Sequence, residues 1–305
     1  MSQQNDVAAS RSVAELTGTE QASAEQTTTG QTCAEPAGQP WLIALDIDGT
    51  VLLEGGAIND SVIEQVQRVR DLGHEVMLAT GRSESMTLPI LDRLGIAPRY
   101  LVCSNGSITL RRNADAPTGY EHAHVETFDP SEVLTTISAA LADASFAVED
   151  ETGFFRYTGY FPNASLGALS EVVEFDELLG EQATRVVVIS PEHAVEEFLT
   201  IVEQMGLHKV SYNVGWTAWL DIAPDGVNKA TALERVRGWL GIPRSRVMAV
   251  GDGRNDIDML TWASDQGRGV AMGQAPDEVF AVSSERTGTD VDDGVASLLR
   301  GLEHS

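Results

Sequence analysis

Residues 41–52 read WLIALDIDGTVL. Five apolar residues run without a polar break, the pattern of a strand buried on both faces. Asp46 and Asp48 follow at once, with Gly49 to permit a sharp exit and Thr50 to brace the turn by hydrogen bonding. Two carboxylates at the carboxyl end of such a strand stand where open α/β sheets bind ligands. So close together, they repel unless a cation or a shared proton compensates them. An ordinary Asx turn capped by Asp48 is the plainer reading of the same residues.

Working outward, the rest of the chain alternates in the same way. Residues 59–72 form a helical pattern with Val62, Ile63, Val66, Val69 and Leu72 on one face and Gly73 as the stop. HEVMLAT (74–80) is a second strand, residues 83–95 a second helix, and RYLVCSNGSITL (99–110) a hairpin around Asn105-Gly106. Toward the C-terminus, helical 228–241, strand 246–252, helical 255–264, strand 268–272 and a closing helix over 292–302 repeat the rhythm. Strands alternating with amphipathic helices predict an α/β fold, a doubly wound Rossmann-like parallel-sheet core.

The middle has another texture. Two helices led by Pro130 and Pro191 at first helical positions sit among the strand-like stretches SFAVED, GFFRYTG, TRVVVIS and KVSYNV. This predicts an inserted α+β domain over 113–218, between core segments 39–112 and 219–305. Residues 1–38 are polar and small, too poor in apolar side chains to offset chain entropy, and predict a disordered tail.

Composition narrows the partners. The 305-residue chain is 42% apolar and carries a formal net charge of -26, which repels nucleic acid and anionic membranes. The plain reading of that charge is solubility, and a small anionic ligand would need a locally positive site. No membrane span is predicted, and the N-terminus lacks a secretory pattern. Two cysteines, Cys33 and Cys103, make neither a disulfide framework nor a thiolate metal site. A cytoplasmic location is expected.

Three further stretches carry chemistry. GDGRND (251–256) brings Asp252, Asn255 and Asp256 to another strand end, hard oxygen donors that suit Mg²⁺ but not the spacing of a calcium loop. It also reads as a Gly-rich turn with a helix cap. ATGR (79–82) offers a hydroxyl and free N–H groups at a helix start, a cradle for an anion or a plain N-cap. Lys229 opens a helix, against the helix dipole, so either a bound anion explains it or it is simply exposed.

In this order, DIDGT, TGR, Lys229 and GDGRND resemble the motif set of the haloacid dehalogenase-like superfamily, in its Cof-type branch. SNG (104–106) and DDGVA (292–296) look like further landmarks of that branch; Ala230 stands where such chains often carry Gly, a change the helix tolerates. The resemblance covers about residues 41–302. It implies a Mg²⁺-dependent phosphatase of small phosphorylated metabolites. Asp46 would be the nucleophile and Asp48 the general acid and base. Mg²⁺ would be held by Asp46, the Asp48 carbonyl and Asp252. Ile47 (through its backbone), Thr80, Gly81, Lys229 and Asn255 would bind phosphoryl oxygens, with Asp256, Asn105 and Arg82 in a secondary role. The insert would be a cap, with Arg156, Tyr157 and Arg185 as unranked contact candidates beside the reading that they are ordinary sheet-face residues. An aspartate at position 48, absent from dehalogenases and P-type ATPases, favours phosphate-ester chemistry. The resemblance also admits a sugar phosphomutase and a non-catalytic binding protein, and it leaves substrate and oligomeric state open.

Overall fold

The computed structural model describes residues 38–162, 166–167, 169–207, 210–214 and 218–302; the tail expected over 1–38 lies outside them except for Gly38. Strand β1 (Leu42–Leu45) is followed by α1 (Asp60–Asp71), β2 (Glu75–Leu78), α2 (Glu84–Leu94), β3 (Tyr100–Cys103), β4 (Ile108–Arg112) and β5 (Tyr120–Val125). The insert adds α3 (Ser131–Ala140), β6 (Ser145–Glu149), β7 (Phe155–Tyr157), β8 (Ser170–Val172), β9 (Arg185–Ile189), α4 (Val195–Met205), β10 (Val210–Val214) and β11 (Trp219–Pro224). The chain then returns through α5 (Lys229–Leu240), β12 (Val247–Gly251), α6 (Ile257–Gln266), β13 (Arg268–Ala271), α7 (Asp277–Val282), β14 (Glu285–Arg286) and α8 (Gly294–Arg300).

The core sheet runs β14-β13-β12-β1-β2, all parallel, with β1 between β12 and β2. Alternate residues of β1 feed two separate cores. Ile43 and Leu45 join Val62, Val66, Ile90 and Leu299 from α1, α2 and α8; Leu42 and Ala44 join Leu233, Val236 and Leu260 from α5 and α6. A strand buried on both faces needs apolar residues at every position, which is why its sequence does not alternate. A bridge from Ala79 to Val102 lays β3 beside β2, and β4 and β5 continue it antiparallel. Cys103 lies buried here, its thiol pushed up to about 12 by burial.

In the insert, a sheet of order β10-β11-β9-β6-β7-β8 packs α3 and α4 on one face through Leu134, Ile137, Val186, Val188, Phe198 and Val202. Its other face carries Ala147, Phe155, Val187, Ile189 and Trp219. Strand pairing moves both edges expected at 113 and 218. Residues 120–125 pair with β4, so they belong to the β3-β4-β5 sheet, and residues 219–224 pair with β9 and β10 in the insert. Short strands such as these are defined by their partners, and a single sequence does not carry the pairing. Pro191 does not lead a helix either. It sits in a turn closed by the His193 N–H on the Ser190 carbonyl at 3.1 Å, and α4 begins at Val195. Pro130 does precede α3 directly, at its N-cap.

Candidate active site

The carboxyl ends of β1, β2 and β12 converge. After β1 the chain winds around one acceptor: the Ile47 carbonyl takes the N–H groups of Thr50, Val51 and Leu52 at 3.3, 2.9 and 2.8 Å. The Ile47 side chain is buried, and the Thr50 hydroxyl, expected to brace the turn, is buried without a hydrogen-bond partner among the described residues. The backbone alone braces it. Gly49 has φ +71°, and a Cβ there would lie 2.2 Å from Asp252 Oδ2. Gly49→Ala should therefore cost about 1–2 kcal/mol for the left-handed backbone and push the Asp252 carboxylate out of place. A lowered Tm with weakened Mg²⁺ binding by titration calorimetry is the expected result; unchanged metal affinity would contradict it.

Asp46 emerges buried, and its carboxylate meets a lysine from the other side of the insertion. Lys229 opens α5, whose N-cap Asn228 accepts the Thr231 N–H at 2.9 Å. Far from being exposed, Lys229 is fully buried, and its Nζ donates to Asp46 Oδ1 and to Asp256 Oδ1, both at 2.6 Å. The other oxygen of Asp256 accepts the N–H groups of Asp252 and Gly253 at 3.0 Å each. Burial by itself would lower the Lys229 pKa, but Asp256 and Asp46 outweigh it and hold the ammonium above its ordinary value. Burial raises the Asp46 carboxyl well above the usual range, with Asp256 adding and Lys229 opposing.

One ammonium thus faces three carboxylates. Oxygens of Asp46, Asp252 and Asp256 lie within 4.8 Å of one another. Both oxygens of Asp256 are engaged, so Asp46 and Asp252 are the donors available to a cation, with the Asp48 carbonyl beside them in sequence. The donor set is all hard oxygen and its charge is uncompensated, which fits Mg²⁺. Burial, then the Asp256 charge, push the Asp252 carboxyl up to about 7. A carboxyl raised on folding favours the fold while protonated, so metal-free protein loses that contribution as pH rises from about 4 through about 7. Protons compete with a cation for the same oxygens. Mg²⁺ should therefore raise the Tm more at pH 8 than at pH 5.5 in a thermal melt; equal shifts would contradict the ligand role of Asp252.

Two loops close the ring. Thr80 Oγ1 accepts the Arg82 N–H at 3.1 Å, so Thr80 is not an N-cap; Ser83 is the N-cap of α2, without a side-chain capping hydrogen bond. The Asn105 N–H donates to the Thr80 carbonyl at 3.0 Å and the Ser104 N–H to the Arg82 carbonyl at 2.9 Å, which lashes the SNG turn to TGR. Asn105 takes φ +53°, and its Oδ1 accepts from Asn255 Nδ2 at 3.1 Å. A Cβ on Gly106 would meet the Asn228 carbonyl at 2.3 Å, so only glycine lets this turn seat against the start of α5. Arg82 forks onto Asp48 through Nε at 2.8 Å and Nη2 at 2.5 Å, and the Asp48 side chain, 63% exposed, is the open member of the group.

The core residues expected at the site are thus brought to this one place, and the geometry adds one more. Gln274, in the loop after β13, donates to the Gly49 carbonyl and lies 3.5 Å from Asp252 Oδ2. Nothing in its MGQAP context is charged or periodic enough to single it out. Of the three insert candidates, Arg185 is the one that bonds to the core among the described residues, donating to the Gly81 carbonyl. Arg156 pairs with Glu181, and Tyr157 packs edge-on against Phe161 at 5.7 Å. DDGVA works structurally, since Asp293 Oδ1 accepts Ser61 Oγ at 2.6 Å and Asn59 Nδ2 at 2.9 Å, pinning α8 to α1.

A family model for haloacid dehalogenase-like hydrolases matches residues 43–299. The chain belongs to the haloacid dehalogenase-like hydrolases. This hydrolase is 29% identical over 274 residues to the Bacillus subtilis 5-amino-6-(5-phospho-D-ribitylamino)uracil phosphatase, covering 86% of this chain and 97% of that one. It is 28% identical over 273 residues to the Escherichia coli pyridoxal phosphate phosphatase, covering 85% and 97%. A subclass IIB sugar phosphatase of the superfamily superposes with a TM-score of 0.71 at 21% identity, covering 85% of this chain and 98% of that one. A superfamily phosphatase from Bacteroides thetaiotaomicron does so at 0.68 and 22%, covering 89% and 98%; at these identities the likeness is one of fold. No helix among the described residues is long and apolar enough to cross a membrane.

Proposed function

We propose that this hydrolase is a cytoplasmic, Mg²⁺-dependent phosphatase of small phosphorylated metabolites, sugar-phosphate-like in size, that works through an aspartyl phosphate on Asp46. The observation that carries the reading is Lys229 Nζ at 2.6 Å from both Asp46 and Asp256, with Asp252 completing the carboxylate cluster. A structural ion pair does not need a third, unbalanced carboxylate. Relatives named for phosphorylated small molecules support the substrate class.

Asp46 attacks phosphorus, forming an Oδ–P bond as the ester P–O bond breaks. Asp48 gives its proton to the departing oxygen, then takes one from the water that attacks phosphorus and frees Asp46. Lys229 holds Asp46 in place and, with Thr80, Gly81, Asn255 and the Ile47 backbone, receives the phosphoryl oxygens. Mg²⁺ on Asp46, the Asp48 carbonyl and Asp252 would supply charge neutralisation between carboxylate and phosphate. Arg82 steadies Asp48, and Asn105 steadies Asn255. The insert serves as a cap whose open face supplies leaving-group contacts and excludes water.

The test is phosphate release from p-nitrophenyl phosphate and a panel of phosphorylated metabolites, with Mg²⁺ and with EDTA. Release that EDTA abolishes is expected. Isomerised hexose phosphate without release would favour a phosphomutase, and inactivity on every ester would favour a binding protein.

A further inference from the structure

Arg185 projects from the open face of the insert sheet, and its guanidinium is held by contacts on several sides. Nε donates to Glu149 Oε2 on β6 at 3.0 Å, and Nη1 donates to Asp221 Oδ1 on β11 at 3.3 Å. The Phe155 ring lies 5.2 Å from the guanidinium carbon, and Asp221 is itself held through Oδ2 by Trp219 Nε1 at 2.9 Å. The Arg185 side chain is 6% exposed, and from this socket Nη1 also donates to the Gly81 carbonyl.

That carbonyl belongs to the same peptide plane as the Arg82 N–H, which donates to Thr80 Oγ1 at 3.1 Å. The plane is therefore gripped at both ends, by a guanidinium on the oxygen and by the threonine hydroxyl on the nitrogen. A hydroxyl that accepts in this way keeps its own hydrogen to give elsewhere. A charged donor on the carbonyl also polarises the peptide and strengthens the N–H bond to Thr80.

We propose that Arg185 is a positioning residue for phosphate binding: it fixes the Gly81–Arg82 peptide so that Thr80 Oγ1 is held with its hydrogen free for a phosphoryl oxygen. The inference rests on the phosphatase reading of the Thr80 loop. Because Arg185 comes from the insert, this brace, added to the bonds from the SNG turn, acts only while the insert is seated on the core. Lysine cannot substitute, since its single nitrogen cannot span Glu149, Asp221 and Gly81 in one plane.

The test is a double-mutant cycle on the full chain with inorganic phosphate as the probe, in Mg²⁺, by titration calorimetry. Arg185→Lys should keep the Tm within a few degrees and weaken phosphate binding about tenfold, and Thr80→Val should weaken it by a similar factor. The double variant should bind no more weakly than Thr80→Val, because Arg185 acts through the hydroxyl already removed. Additive losses, about a hundredfold in the double variant, would mark a clamp that serves the fold alone and overturn the proposal, as would Arg185→Lys binding phosphate like wild type. Should Arg185→Lys fail to fold, Arg185→Gln combined with Glu149→Gln, which removes the cation together with its fully buried carboxylate partner, carries the same expectation. Wild type that binds no phosphate would overturn the phosphatase reading together with this one; wild type that binds while Arg185→Lys matches it overturns this one alone.

Discussion

Asp46→Asn removes Mg²⁺-dependent release of phosphate from p-nitrophenyl phosphate, by about 10⁴-fold or more, while the protein stays folded. Loss of a nucleophile in a concerted group of residues has effects of this order or larger. The amide matches the carboxylate in shape and can still accept from Lys229, whose second partner, Asp256, is untouched. Burial raises the Asp46 carboxyl well above its ordinary range, with the Asp256 and Asp252 charges adding. A neutral side chain therefore suits the metal-free site, and the Tm without Mg²⁺ should equal or exceed that of wild type. Activity within tenfold of wild type would remove Asp46 from the chemistry. A collapse of the Tm would instead assign it to the fold.

Lys229→Met has the largest expected effect on stability. Methionine keeps the length of the apolar stem but leaves Asp46 and Asp256 buried with no cation between them. Breaking a buried pair costs about 3–5 kcal/mol because the partner charge is left uncompensated, and here two partners are left. The sign of the pH dependence follows from Asp46. Burial already holds its carboxyl well above the ordinary range, and it rises further once the ammonium that opposes this has gone. The deficit should shrink toward pH 5 and widen toward pH 8. Denaturant titrations at the two pH values measure it. A deficit independent of pH would mean that the ammonium does not balance these carboxylates. Catalysis should also fall by about 10²–10³-fold, the scale for losing one preorganised charge contact.

Much of the frame was legible from residues 41–52 and their echoes. WLIAL, VMAV and GVAM are uninterrupted apolar runs, and short runs of this kind suit strands covered on both sides. The helices between them declare their faces by spacing, as Val62, Val66 and Val69 do in α1. The edges of the insert were not legible, because residues 120–125 and 219–224 take their identity from β4 and β9, which are distant choices of partner.

The site divides along the same line. Asp46, Asp48, Thr80, Lys229, Asp252 and Asn255 stand out by residue type at strand ends and helix starts, where geometry already favours ligands. Sequence by itself determined the layered α/β frame and these chemical groups, because periodicity and turn chemistry act over a few residues. Tertiary structure alone decided that Lys229 is buried between two carboxylates 183 and 27 residues away, that Asp48 is forked by Arg82, and that Arg185 crosses from the insert to grip Gly81. Those contacts depend on where separate strands end in space, and no local pattern encodes that. WLIALDID thus placed Asp46 at the end of a buried strand, and the fold supplied the neighbours that make it a candidate nucleophile.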